Sequence, residues 1–365
     1  NGDHHMPTVN NGTFLIETTA NQILGGVISG TGTLVKSGTG TTTLTGANTF
    51  TGAVTVNGGI LYANAANAAT NRNFSYASGV TVNTGATLRS NGNSLFGWDG
   101  TQEKPVTVNA GAVLLADANA DVGLGLLTLN GGTLANSGPS TAYGSWRFDQ
   151  ATDRIMVSAD STVSATNVKF GNAGAAIQVS AFRNLNFTGT ITNATSGGVS
   201  FLTKTGSGTL TLAGTNTHTG ATAVNAGTLR LTGSLGNTPV SVADGATLTG
   251  TGTVGGSLAF AANAIHTPGN PLGTQTVTGA LSYAAASRVR WNLNSNSDAA
   301  GVSGRIAAGA VDITSGAVID LMLEGAGSST AFYNSFWSQP RSWTVMTGSS
   351  ITGGFTLGNV SSDST

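Results

Sequence analysis

Two stretches of this chain are copies of one another, and that narrows its architecture more than any other feature. Residues 33–61 read TLVKSGTGTTTLTGANTFTGAVTVNGGIL, residues 201–229 read FLTKTGSGTLTLAGTNTHTGATAVNAGTL, and the two align without a gap. Lys36 meets Lys204, Leu44 meets Leu212, Asn48 meets Asn216, Gly52 meets Gly220, and Val56-Asn57 meets Val224-Asn225. A shorter signature recurs more widely: an aliphatic residue, two small or polar residues, a glycine, then another aliphatic. It reads VNGGIL from Val56, VNTGATL from Val82, VNAGAVL from Val108, LNGGTL from Leu129, VNAGTL from Val224, VADGATL from Val242 and ITSGAVI from Ile313. Asn and Gly tolerate positive φ, so each signature reads as strand, tight bend, strand.

Val56, Val82 and Val108 lie 26 residues apart and Leu129 follows after 21, spacings that suit one turn of a parallel β-helix built of two or three short strands and their bends. Between bends the pattern alternates. In TLTLAG from Thr209, Leu210 and Leu212 point one way while Thr209 and Thr211 point the other. Helical periodicity is nearly absent, and ANAANAA from Ala63 to Ala69 reads as a loop or a single turn. The fold class is therefore all-β, with inward aliphatic ladders stacked along one axis. Residues 93–104 and 137–155 are richer in aromatic and charged residues and are expected as short loop excursions. No charged or proline-rich linker divides the chain, so one β-helix over residues 7–324 is expected, with 325–365 as a C-terminal capping segment. Residues 1–6, NGDHHM, read as a cloning remnant.

Composition excludes several functions. The net charge is −1 with no basic block, so nucleic acid is not an expected partner. No apolar run approaches the roughly 18 residues of a membrane-spanning helix, and direct membrane insertion of this segment is not expected. The chain has no cysteine, which removes disulfides and thiolate-held zinc and suits a protein that crosses membranes unfolded.

The search for chemistry turns up few candidates. Some β-helices cleave polysaccharides, and a glycosidase needs two carboxylates facing one another. The acid pairs near in sequence are Asp117 with Asp121, and Asp149 with Asp153, the second beside Trp146, Arg147 and Arg154. The second pair reads as a solvated loop with local ion pairs, and Asp117 with Asp121 is the one candidate start of a calcium site. Calcium-loop spacing is missing, so no metal or other cofactor is expected. His218 occupies a repeat position and His266 precedes a turn, both structural. Lys36 and Lys204 are repeat-matched and read as packing or turn-bridging residues. The Gly30-Thr31-Gly32 and Gly250-Thr251-Gly252 strings lack the Lys-Ser/Thr of a phosphate loop and read as turns. Trp98, Tyr143 and Trp146 fall in the two excursions and are the candidate glycan-binding residues. Trp291, Trp337 and Trp343 are expected to pack over the end of the core.

The 33–61 and 201–229 segments resemble the autotransporter-associated β-strand repeat of bacterial surface proteins, whose run is a Lys, Gly-x-Gly-Thr-Leu-x-Leu-x-Gly, Asn-x-Tyr/Phe-x-Gly and Val-Asn-x-Gly-x-Leu. The second copy departs from it at His218, where an aromatic is the rule. Residues 249–281, with the turn Pro268-Gly269-Asn270, resemble the segment that follows the last such repeat, and SWTVMTGSSITGGFTLG resembles the end of such passenger regions. The resemblance implies a single right-handed parallel β-helix, exported across the bacterial outer membrane to the cell surface or beyond, and carries no catalytic site with it. It implies a non-enzymatic extracellular scaffold or stalk, monomeric, with surface glycans or proteins of a host or the environment as partners. A glycan-binding adhesin using the excursion aromatics, and a polysaccharide-active enzyme, stand as the alternatives.

Overall fold

A computed structural model describes residues 3–64, 73–92, 95–97, 104–117, 120–138, 145–150, 152–194, 197–270, 272–295, 297, 301–323 and 335–362. The chain divides into two compact units, residues 1–201 and 202–365. Both are parallel β-helices, and the described residues contain no α-helix; the one helical turn is the 3-10 segment Ser335–Ser338.

In the first unit each rung contributes a strand to each of two long parallel sheets. Thr33–Lys36, Val54–Val56, Val80–Val82, Val106–Asn109, Leu126–Asn130, Arg154–Ala159 and Ala175–Val179 follow one another in the first sheet. Thr41–Leu44, Ile60–Ala63, Thr87–Ser90, Val113–Ala116, Thr133–Asn136, Ser161–Val163 and Asn184–Phe187 do so in the second. The expected valine ladder is present: Val56 pairs with Val82 and Val82 with Val108, and all three are fully buried. Leu61, Leu88, Leu114 and Leu134 form the matching ladder across the bend. Burying each such side chain is worth about 1.5–3 kcal/mol, and the alternation that puts it inside sends the intervening threonines out. Rings stack by the same logic, with Phe50, Phe74 and Phe96 centroids 6.3 and 6.4 Å apart.

The bends explain the recurrent glycine. It has φ between 61° and 91° at Gly59, Gly85, Gly111, Gly227, Gly245 and Gly316; in the LNGG copy the left-handed residue is Gly131, one place earlier. At Gly59 a Cβ would also meet the Gly40 carbonyl oxygen at 2.5 Å, so both conformation and space demand glycine. The asparagine of the signature does something other than expected. Its amide stacks from rung to rung, Asn83 donating to Asn57 at 2.7 Å, Asn109 to Asn83 at 2.7 Å and Asn130 to Asn109 at 3.1 Å.

The excursions are less excursive than the sequence suggests. Residues 137–155 contain the strand Ser145–Phe148 and the first two residues of Arg154–Ala159, and the former belongs to a third parallel sheet with Asp121–Gly123, Asn167–Phe170 and Thr190–Asn193. Trp146 and Phe148 point into the core. From the other excursion Leu95 and Phe96 are fully buried.

The second unit has three parallel sheets. Leu202–Thr205, Thr222–Val224, Val240–Val242, Leu258–Phe260, Leu281–Tyr283, Ala310–Ile313 and Ser350–Gly353 form the first. Thr209–Leu212, Thr228–Leu231, Thr247–Gly250, Ile265–Pro268, Arg288–Asn292, Val318–Leu323 and Thr356–Ser362 form the second, and a third runs from Thr215–Asn216 to Met346–Thr347. Trp343 packs on Trp291 with centroids 5.7 Å apart, and Phe336 and Trp337 join them beside Leu293 and Leu323. Residues 346–362 themselves supply the last described rung, whose inward positions Ile351, Leu357 and Val360 stay exposed. The aromatic group therefore seals a flank of the core and leaves those three uncovered.

Candidate functional site

The most charged cluster lies on the third sheet of the first unit. Strand alternation turns Trp146 and Phe148 inward and Arg147 outward, and register sets Arg147 between Gly123 and Lys169. Arg147 Nη1 reaches Asp121 Oδ2 at 3.2 Å and Nη2 reaches Asp149 Oδ2 at 2.8 Å, while Lys169 Nζ stands 3.7 Å from Asp121. Burial raises the Asp149 carboxyl above the usual aspartate value in spite of Arg147 beside it. Arg147, Asp149, Gly171, Asn172, Ala173 and Ala194 line a depression of about 270 Å³ next to the cluster. Two cations facing two carboxylates make a balanced network, with the guanidinium fork already occupied.

The sequence-adjacent acid pairs do not come together. Asp117 belongs to another network, accepting from Tyr62 Oη at 2.7 Å, Arg89 Nε at 2.7 Å and Ser137 Oγ at 3.3 Å, with the Arg89 guanidinium 4.4 Å from the Tyr62 ring centre. That environment pushes the Tyr62 phenol up to about 12, burial being the largest cause and Asp117 the next. Asp153 is buried and accepts from the Gln150 amide at 2.7 Å, which makes it a turn cap. Arg154 is exposed at the start of its strand. No group of three or more His, Asp or Glu able to hold a metal exists among the described residues.

Of the glycan candidates, Trp98 and Tyr143 lie outside the described residues. Trp146 is fully buried and its indole N–H donates to the Ala135 carbonyl at 2.9 Å, so its ring offers no face to a sugar. The reading of this tryptophan as a surface aromatic is corrected: it is a core side chain.

The repeat-matched polar residues are buried too, and they are occupied. Lys204 Nζ donates to the carbonyls of Thr205, Gly206 and Ala226 at 2.9, 2.7 and 3.0 Å. Lys36 Nζ donates to Gly38 and, at 3.0 Å, to Gly58. Each ammonium thus ties the bend of its own rung to the bend of the next. Burial lowers both lysines, Lys204 to about 8. Asn48 is buried and its Oδ1 accepts from the Ile28 amide at 2.8 Å; the equally buried Asn216 donates to the carbonyls of Gly214 and Ser234. His218 sits inside where the other copy has Phe50, its Nε2 2.9 Å from Thr222 Oγ1. His266 is fully buried and held between the Tyr283 hydroxyl and the Gln275 side-chain oxygen.

Sequence reasoning missed the Arg89–Asp117 and Arg147–Asp121 pairs. The available signal was the rung period, since 28 and 26 residues separate the partners.

No curated protein sequence matches the chain. The passenger-associated-transport-repeat family matches residues 34–63 and 202–231. Each match begins in the strand that carries the buried lysine and runs through the second strand of the following rung, so it encloses the lysine, the inner asparagine and the left-handed glycine described above. These two segments are passenger-associated-transport-repeats.

Proposed function

We propose that the chain is the non-enzymatic scaffold of an exported bacterial surface protein, carried to the cell surface or released beyond it. One observation carries this reading: the polar residues shared by the two repeats, Lys36 and Lys204, Asn48 and Asn216, are all buried and bonded within the chain. The polar side chains common to both copies thus serve the stacking of rungs. The lack of cysteine supports export, because no cross-link can form before the chain has crossed the envelope. A core assembled from short local strands also supports it, since each emerging rung finds its template in the one before.

Two measurements test the reading. The chain, placed between a secretion signal and an outer-membrane barrel, should become accessible to protease on intact cells; retention in the periplasm would count against it. Purified protein should release no reducing ends and no unsaturated products from common polysaccharides. Turnover that vanishes in Asp149→Asn would replace the scaffold by an enzyme.

A further inference from the structure

On the outer face of the second sheet in the second unit, two arginines stand in one column. Arg230 pairs with Thr249 and Thr249 with Thr267; one residue beyond the His266–Val289 pair, Thr267 faces Arg290. Three rung steps at about 4.8 Å each put the two arginines about 14 Å apart along the axis. An open groove of about 450 Å³ lies beside Arg290, with Thr228, Thr247, Thr249, Thr267, Asn270 and Asn292 among the rest of its lining and no carboxylate in it; Arg230, two residues from Thr228 on the same face of its strand, stands outside that lining at the far end of the column.

Both arginines are exposed, and neither forms a hydrogen bond or ion pair among the described residues. The carboxylate in register with Arg290 is Asp320, and it is already engaged. Asp320 accepts from Arg288 Nε at 2.8 Å, from Arg288 Nη2 at 2.7 Å and from the Asn359 amide at 2.8 Å. Arg290 adds only its field to that carboxylate. The column thus keeps two cations whose charge is not neutralised by contact, on a chain with few charges of any kind.

We propose that this column is a binding groove for a linear acidic glycan, running along the stack with its carboxylate or sulfate groups on Arg230 and Arg290. The lining decides the class. Thr228, Thr247 and Thr267 offer hydroxyls that make no hydrogen bond to a described residue, and Asn270 and Asn292 offer amides. These groups donate and accept as sugar hydroxyls do. An amphipathic helix needs an apolar groove, and Met322 is the only large apolar side chain here. Single-stranded nucleic acid needs aromatic platforms, which the groove lacks. Guanidinium forks match carboxylate and sulfate oxygens in pairs, so the two arginines set charge and spacing while the threonines follow the sugar backbone.

The site goes beyond the scaffold reading, and failure to bind glycan would leave that reading standing. Calorimetric titration of the full chain with polygalacturonate oligomers, heparin oligosaccharides and dextran, at low and at high salt, tests it. Acidic oligomers should bind, dextran should not, and salt should weaken binding. Preference for the uronate or for the sulfated chain would say which anion is read. Arg290→Gln should weaken binding about tenfold or more, Arg230→Gln likewise, and the double variant should lose it. Both positions are exposed, so thermal melts should confirm an intact fold, and Arg154→Gln in the other unit should bind as the parent does. Dextran binding as tightly as the acidic chains, no acidic chain binding at low salt, or a double variant that binds like the parent would each overturn the proposal.

Discussion

Replacing Lys204 by methionine separates what its charge does from what its length does. The ammonium donates to three half-buried carbonyls, and hydrogen bonds to a charged group are worth about 1.5–3 kcal/mol each. Against them stands the several-kcal/mol cost of taking an ammonium out of water with no carboxylate beside it, which shows as a value lowered to about 8 by burial. Methionine refunds that cost and fills most of the space, but it leaves the Thr205, Gly206 and Ala226 carbonyls without a donor, at about 1–3 kcal/mol for each that water cannot reach. The expected net loss is about 2–4 kcal/mol. Because rungs bond only to their neighbours, the loss should be local. Hydrogen exchange should quicken most across residues 202–231, alongside a lowered urea midpoint. Parent and variant should also differ in pH response. Between about 8 and the unfolded lysine value near 10.4, the unfolded chain holds the proton and the folded chain does not, so parent stability rises with pH through that window. The Lys204→Met protein should lack this component. A variant as stable as the parent at pH 7, with unchanged exchange, would refute the claim that the ammonium ties rung to rung.

Val82→Asp places a carboxylate in a fully buried ladder and should cost at least about 3 kcal/mol; a urea-melt loss below about 1 kcal/mol, usual for surface sites, would contradict the assigned register. His218→Phe restores the aromatic of the other copy. Burial lowers His218 to about 4 against an unfolded value near 6.5, so parent stability falls as pH drops from about 6.5 to 4, and the variant should lose less over that interval in melts at a series of pH values. Phe182 holds φ 59° and is 96% exposed as a residue, and Phe182→Gly should raise stability by about 0.5 kcal/mol, the relief of left-handed strain exceeding the added chain entropy; an equal loss in thermal melts would show that the ring stabilises by packing.

What could be read from the sequence was whatever repeats with strict side-chain periodicity. The Val56–Val82–Val108 ladder, the left-handed glycines and the bridging lysines all follow from a pattern in which one residue type recurs at one offset. The third sheet of the first unit did not show itself, because Asp121–Gly123 is three residues long and carries no alternation. The same shortness hid the strand at Ser145–Phe148. Its inward Trp146 and Phe148 alternate with Arg147, yet the surrounding charges made the segment look like a solvated loop. Asn57 and its equivalents were read for backbone tolerance, whereas their amides act across rungs, a relation visible only once the register is known. The inner position shared by Phe50 and His218 makes a related point: the site selects a flat ring of moderate size, and the imidazole satisfies that at the expense of a buried Nδ1 that has no partner among the described residues.

The division of labour between the two sides of each strand bears directly on where function can reside. Inside, a substitution is felt by the rungs above and below, since Leu61, Leu88, Leu114 and Leu134 touch in sequence; the inner columns are therefore tied to stability and hold the repeat signature. Outside, backbone hydrogen bonds already join the rungs, and threonine serves mainly as a β-branched filler that suits a pleated surface. An outer position can change to arginine, tyrosine or aspartate with little effect on the stack, as Arg89, Tyr62 and Asp117 illustrate by building a clip across rungs without disturbing the leucines beneath. The lattice then fixes what such changes can recognise. Groups on one column sit at multiples of about 4.8 Å and groups on one strand at about 6.8 Å, so charges placed three rungs apart, like Arg230 and Arg290, meet a ligand whose own charges repeat along a line. The binding proposed for Arg230 and Arg290 would arise from changes on the outer columns alone, and the ligands whose geometry matches such a lattice are extended, periodic polymers.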